Sequence, residues 1–394
     1  MIAAVAVALS LMALVGVPAS AYLLLATLLS ARPPAPKPSA RAVKFDVLVP
    51  AHNELPVIER VVRSLKRLDW PADRFRIIVI ADNCTDSTAT LARNAGALVF
   101  ERHDSTLRGK GYALAYAFAR SAAEGWADAV VVIDADAEVS TNLLESFAAR
   151  IEAGAPAIQA HYGVLNPMAS WRTRLMTIAT AAFHIVRSRA RERLGLSCGI
   201  RGNGWCVTHR LLERVPYQAY SLAEDLEYGI AIGLAGFRVH YADEAHSNAD
   251  MVSSAQIADK QRQRWERGRF ELIRAKTAPL LRAALARRSA ICLDLALDLL
   301  VLPLSYVALS VIALCLCAAV ASWWQSVLLP WLFIGLSSLG AIALYVLRGW
   351  QLSGVGARGL VDLARAPLFL VWKVLLMLKR KTTDEWIRTE RERH

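Results

Sequence analysis

The 394-residue chain is 55% hydrophobic and 20% charged, with a net charge of +12 and a mean hydropathy of +0.33. That is too apolar for a soluble protein alone, and long enough for one sizeable core plus membrane segments. Six cysteines with no C-x-x-C pair imply neither a zinc site nor a disulfide framework, since Cys315 and Cys317 fall inside an apolar run.

In chain order, residues 2–29 carry no charged side chain. A crossing helix needs roughly 20 apolar residues, so residues 1–30 predict a membrane anchor. A cleaved signal peptide is the rival, because "VPASA" at 17–21 has the look of a cleavage site. The uncharged start and an apolar run that continues past that site favour the anchor. "ARPPAPKPSA" begins a stiff polar linker over 31–43.

Strand and helix signals then alternate through a predicted domain at 44–265. "FDVLVP" ends at Pro50, and Leu55, Ile58, Val61, Val62, Leu65 and Leu68 share one face of the following helix. "RIIVIAD" is a second strand, with Thr85 or Asp86 capping the helix after it. "ALVF" and "AVVVID" follow, with a helix over about 110–123 between them. Apolar runs without alternation suit strands buried on both faces of a parallel sheet, which makes an α/β nucleotide-binding arrangement.

Two later stretches, 171–194 and 270–288, read as membrane-surface helices. For the first, ordinary core packing of the stripe Trp171, Leu175, Ile178, Ala182 and Ile185 is an equal alternative. Residues 266–394 are expected to hold interface helices and spans at about 299–321 and 327–347, with Trp323, Trp324, Trp331, Tyr345 and Trp350 suited to the water–lipid boundary. The run 366–378 contains Lys373 and is expected to lie in the interface. Basic residues crowd the ends away from the loop joining the two spans. The positive-inside rule therefore places the central domain in the cytoplasm of a multi-pass plasma (inner) membrane protein, with the N-terminus outside. Because so many of these charges flank apolar helices, anionic lipid is the expected partner and nucleic acid is not.

Ligands of open parallel sheets bind beyond the carboxyl ends of the strands. Three strands end there in polar groups: His52, Asn53 and Glu54; Asp82 and Asn83; Asp134 and Asp136. No G-x-G-x-x-G follows the first strand and there is no P-loop. If the chain stays extended, Asp134 and Asp136 point to one side. A carboxylate repels a phosphate by about 3 kcal/mol per charge pair at about 5 Å and an effective dielectric near 20, so a phosphate ligand here needs a divalent cation. Oxygen ligands favour Mg²⁺ or Mn²⁺.

Further on, Ser221 and Glu224 fit an S-x-x-E capping box. Asp225 is not needed by that box. The helix dipole is expected to lower its pKa and keep it ionised, which makes it a candidate general base, or else a mere N-terminal charge. In "QRQRWERGR", Gln261, Arg264 and Trp265 share a helix face that suits a leaving diphosphate and a stacked ring; a solvated basic helix is the alternative.

Taken in order, "VPAHNE", "IADNCTD", "DAD", "AED" and "QRQRW" resemble the membrane-bound family 2 glycosyltransferases, which include cellulose, hyaluronan and chitin-oligosaccharide synthases and ceramide glucosyltransferase. The resemblance covers residues 44–265. It implies a GT-A fold, a Rossmann-like nucleotide-sugar-binding sheet, and an inverting, metal-dependent transfer. The donor would be a nucleotide sugar, most often a UDP-sugar, and the acceptor the hydroxyl of a lipid or growing polysaccharide. Carried over residue by residue, Pro50, Asn53, Glu54, Asp82 and Lys110 would bind the nucleotide. Asp134 and Asp136 would be the D-x-D pair, with Asp136 the favoured metal ligand, and Asp225 would be the base. Gln261, Arg264 and Trp265 would line the donor and acceptor subsites; Gly202, Asn203, Gly204 and Glu224 would lie on the acceptor side. The chain departs from cellulose synthases in having Ala223 in place of the Thr of T-E-D, and "GNGWC" where they have F-F-C-G-S.

Two other signals lie outside that set. "GLSCG" matches G-x-S-x-G and would make Ser197 a hydrolase nucleophile, but it lacks the preceding strand that motif requires. A nucleotide-binding membrane protein without chemistry is a third reading. Asp294 and Asp298, one helical turn apart at a span entry, are expected to be satisfied by Arg287, Arg288 or the headgroup layer, though charge at that depth also suggests function. The sugar, the linkage, processivity and the oligomeric state are not legible.

Overall fold

A computed structural model describes residues 2–251 and 255–365, and for 255–262 only the course of the backbone. The described chain divides into two units. One comprises residues 2–31, 168–190 and 297–365; the other, residues 32–167 and 191–296.

The second unit is built on one mixed sheet. Its described strands are β1 (Phe45–Ala51), β2 (Phe75–Asp82), β3 (Leu98–Arg102), β4 (Ala129–Val132), β5 (Ala137–Val139), β6 (Ala157–Val164), β7 (Trp205–Thr208) and β8 (Val239–Ala249). The order is β3-β2-β1-β4-β7-β6-β8-β5. The first four in that order are parallel, as their unbroken apolar runs predict. β7 lies antiparallel between β4 and β6, and β5 antiparallel to β8, so the sheet is not the all-parallel one expected. Alternation along each strand feeds two cores. Val47, Val49 and Val131 pack with Ile58, Val61, Leu65 and Phe147 on one face. Leu48, Ile78 and Val130 pack with Leu114, Phe118 and Trp205 on the other.

The helix Ile58–Lys66 buries Ile58, Val61, Val62 and Leu65, but Leu55 precedes it and is 42% exposed. Pro56 accounts for that difference, because the residue before a proline is pushed out of the helical region. The helix Lys110–Glu124 ends at Gly125, close to the predicted limit. Asp86 accepts from the Thr88 N–H at the start of the helix Thr88–Asn94. The Pro-rich linker is tied down at its end: Ser39 donates to Glu145 through N–H and hydroxyl, and the Ala40 N–H donates to Glu152. The helix Ala255–Ala286 is continuous through 270–286, so that stretch is no separate surface helix; it buries Leu272 and Leu280.

In the first unit, the helices Ile2–Leu28 and Leu304–Trp324 and the helical segment Ser326–Ser353 are long and apolar enough to cross a membrane. Trp323 and Trp324 are exposed, but Tyr345 is not a boundary residue: it is buried and its hydroxyl donates to the Ala182 carbonyl at 2.8 Å. The helix Trp171–Ala181 starts at a reciprocal cap between Ser170 and Thr173, then runs through a π-helical turn, Ala182–Val186. Ile178, Ala182 and Ile185 are buried, which decides for core packing over a surface helix. The partners expected for the two span-entry aspartates need correction. Asp298 pairs with Arg187 at 2.8 Å, and Asp294 with Arg191 at 2.9 Å, whereas Arg287 donates to the Leu234 carbonyl. The arginines arrive from a segment remote in sequence, which local pattern cannot show. The expected interfacial run 366–378 lies outside the described residues.

Candidate active site

The parallel strands deliver their polar termini to one edge of the sheet. Past β1, Asn53 takes the left-handed conformation that Asn tolerates (φ 56°), and its side-chain carbonyl accepts from the N–H groups of Thr85, at 2.7 Å, and Asp86. His52 Nδ1 lies 2.8 Å from the Asp82 carbonyl. The loops after β1 and β2 are thus fastened together, with Pro50 inside β1 and the Glu54 backbone carbonyl accepting from the Val57 and Ile58 N–H groups at the turn into the next helix. At the end of β2, Asp82 receives the Arg102 guanidinium at 2.6 Å, and both side chains are nearly buried. Arg102 also donates to the Leu107 carbonyl. It stands beside Asp82 in the parallel register, a pairing visible only once the strands are aligned.

Lys110 opens the helix Lys110–Glu124 and joins the parts of the edge. Its ammonium lies 2.6 Å from Asp134 Oδ1, 2.9 Å from the Gly202 carbonyl and 3.6 Å from Glu224 Oε1. Asp225 stands against the same loop. Gly202 is left-handed (φ +87°), and a Cβ there would come 3.4 Å from Asp225 Oδ2. The loop is pinned from below by Gln159 of β6, which donates to the Asn203 and Gly204 carbonyls and accepts from the Arg201 N–H. Buried Asn203 in turn accepts from the Asp134 N–H. Gln159 and Arg102 are site-building residues that sequence reasoning missed; a lone Gln inside an apolar strand was the available signal for the first.

Three local expectations change. Asp134 to Ala137 is a turn, closed by the Ala137 N–H to the Asp134 carbonyl, so the two D-x-D carboxylates are not arrayed along an extended chain. The Asp136 carbonyl receives Arg60, which also pairs with Asp250. The Ser221–Glu224 capping box does not form: the helix Glu224–Leu234 is capped at Ala223, and the Ser221 N–H donates to Glu227. Glu224 is turned to Lys110 and cannot also reach back. Finally, burial pushes the Asp225 carboxyl up, against the pull of Lys110 and of the Leu226 N–H, rather than the dipole drawing it down. Burial likewise raises Glu224, to about 7, with Lys110 opposing. Burial also works against the Lys110 charge, but Asp134 and Glu224 more than compensate and hold the ammonium above its ordinary range.

The loop that leads to these carboxylates is locked onto the first turn of the Lys110 helix. A Cβ on Gly111 would fall 2.3 Å from the Ala219 carbonyl, and the Tyr112 and Tyr220 rings stack at 4.4 Å. From the other side the helix Ala255–Ala286 approaches at Gly268, where an added Cβ would meet Ala223 at 3.1 Å. That helix carries Arg264, half-buried with an Nε that has no hydrogen-bond partner among the described residues, and Trp265, 38% exposed. The Gln261 side chain lies outside the described residues.

Asp134 and Asp136 suit a hard divalent ion by donor chemistry. Among the described residues no group of three or more His, Cys, Asp or Glu gathers, so these residues by themselves offer no complete cage. One or two carboxylates completed by substrate phosphates is the usual mode for Mg²⁺, and the residues present fit it. Ser197 is no elbow nucleophile. It is buried after a helix and a turn, and its hydroxyl accepts from the Val239 N–H.

The model of the glycosyltransferase-like family 2 matches residues 42–268, more than half the chain and the whole of this edge. The chain is a family 2 glycosyltransferase. It is 27% identical over 239 residues to a probable glycosyltransferase, YdaM, of Bacillus subtilis, covering 57% of this chain and 55% of that one. It is 28% identical over 232 residues to a beta-monoglucosyldiacylglycerol synthase of Synechocystis, covering 57% and 47%. The glycosyltransferase thus spans about half the length of these curated relatives. Among solved structures, a mannosyltransferase of Pyrobaculum calidifontis in complex with GDP-Man and Mn²⁺ superposes with a TM-score of 0.52 at 19% identity, over 88% of this chain and 99% of that one. The fold is GT-A, with apolar helices at the N-terminus and in the C-terminal region.

Proposed function

We propose that this glycosyltransferase moves a sugar, with inversion, from a nucleotide donor to a hydroxyl of a membrane lipid or a saccharide. The observation that carries the reading is Lys110, whose one ammonium touches Asp134 on the donor side and Glu224 beside Asp225 on the acceptor side. Asp82 with Arg102, and the Asn53 turn, would bind the nucleotide, most often UDP in the family resembled. Asp136 and Asp134 would hold Mg²⁺ or Mn²⁺, which when bound neutralises charge on the leaving diphosphate. Gly202, Asn203, Gly204 and Glu224 would border the acceptor.

The acceptor O–H loses its proton to the Asp225 carboxylate as its oxygen bonds to C1 of the sugar. The C1–O bond to the diphosphate breaks in the same step, and the electron pair departs on the nucleoside diphosphate. Arg264, whose Nε has no hydrogen-bond partner among the described residues, would meet that charge. Lys110 bears on the base as well: its charge opposes the rise that burial causes in the Asp225 pKa. A lipid acceptor is favoured over a polymer by the glucosyldiacylglycerol synthases among the relatives. The membrane helices and the basic residues at their ends support a plasma (inner) membrane protein with this domain in the cytoplasm, where nucleotide sugars are made.

The test is a donor screen on purified protein with Mg²⁺ or Mn²⁺ and total membrane lipid, followed by mass analysis. A lipid gaining one sugar is expected. Asp225→Asn is expected to lower turnover by about 10²–10⁴-fold with UDP binding kept. Full turnover in that variant removes Asp225 as the base; a ladder of products points to a polymer.

A further inference from the structure

We propose that the end of the apolar helix Leu329–Ser353 carries a binding site for the phosphate of an anionic phospholipid, formed by Trp171, Arg172 and Arg365. The proposal rests on the membrane reading above and adds a ligand held by the first unit. The helix Leu329–Ser353 stops at left-handed Gly354, and the short helix Gly356–Leu363 begins two residues later. Trp350 donates to the Gly356 carbonyl at 2.8 Å, and Gly359 packs near Ile178, so the short helix lies against Trp171–Ala181 where the apolar span gives out. In a bilayer that is headgroup depth.

Charge is gathered there with only partial compensation. The guanidiniums of Arg172 and Arg365 stand 5.0 and 5.7 Å from the centroid of the one Trp171 ring. Cation–π attraction holds each to the indole, but two cations on one ring repel. Buried Asp362 is the available carboxylate, and it is shared between Arg174 at 2.6 Å and Arg365 at 3.0 Å. Arg172 is exposed and has no ion pair among the described residues. Three guanidiniums, those of Arg172, Arg174 and Arg365, thus share the neighbourhood of one carboxylate, an arrangement that a phosphodiester would complete with charge-assisted bonds. Next to them Leu360 and Val361 are 43% and 69% exposed. A dissolved phosphate has no use for that apolar border, whereas a lipid offers acyl chain and phosphate together.

The test uses the full chain in nanodiscs of phosphatidylcholine containing a minority of phosphatidylglycerol. Bound lipid is measured by native mass spectrometry, and UDP binding serves as the check of folding. The wild type should retain phosphatidylglycerol in excess over its share, and R172Q/R365Q should reduce that excess about tenfold with UDP binding unchanged. Inorganic phosphate should not displace the lipid. Equal enrichment in both proteins overturns the proposal; displacement by inorganic phosphate overturns it in favour of a soluble anion. A chain released by carbonate wash without detergent refutes the membrane reading itself, a result separable from the lipid ratio.

Discussion

At Asp225 two ordinary rules oppose each other. The first turn of a helix stabilises a carboxylate by about 0.3–1 kcal/mol, and up to about 2 when partly buried, whereas full burial can move a pKa by several units the other way. Burial prevails, and Lys110 restrains it. Sequence shows the position in the helix but not the depth, so the motif was legible and the sign of the shift was not. His209, at the far edge of the sheet, gives a cleaner titration. Its ring lies 3.0 Å from the Ser121 hydroxyl, which donates to buried Asp46, itself held by Arg76. Burial lowers the His209 pKa, though Asp46, Glu213 and Asp128 pull it up. The unfolded imidazole takes its proton near pH 6.5 and the folded one resists. Stability is therefore present above that pH and lost as the pH falls below it. Thermal unfolding followed from pH 7.5 to 5.5 should show the loss, and His209→Gln should flatten it.

Among the elements, those with long uniform patterns were readable: β1, β2, β4, the helix Lys110–Glu124 and the apolar helices at both ends. Contacts between distant segments were not. The arginines that answer Asp294 and Asp298, and the Gln159 that holds the Gly202 loop, belong to elements whose own periodicity says nothing of their neighbours. The tight seat of the Lys110 helix on the loop 217–223 is another such contact. Gly111→Ala places a methyl 2.3 Å from a backbone carbonyl, which has no flexible end to move aside. The helix and loop must part, at about 1–3 kcal/mol, and Lys110 moves away from Glu224 with them. The expected result is a lower kcat with a weaker UDP affinity as Lys110 leaves its place, read by steady-state kinetics and calorimetry.

For the molecule as a whole, buried charge is a standing cost to the first unit. Arg187 and Asp298 are each 4% exposed, and Tyr345 accepts from Arg187 at 3.1 Å. Asp298→Leu alone leaves a buried guanidinium unanswered and should destabilise by about 3–5 kcal/mol, seen as earlier thermal unfolding in detergent. The pair Arg187→Met with Asp298→Leu should recover most of the loss. The reversal of β7 in the sheet has a different consequence. Because β7 runs against β4, the loop entering it arrives beside the residues leaving β4, yet belongs to neither β1 nor β2. Gly202 and Asn203 of that loop bond the Lys110 ammonium and the Asp134 N–H, so a change in the loop is felt at the end of β4 and at the Lys110 helix together.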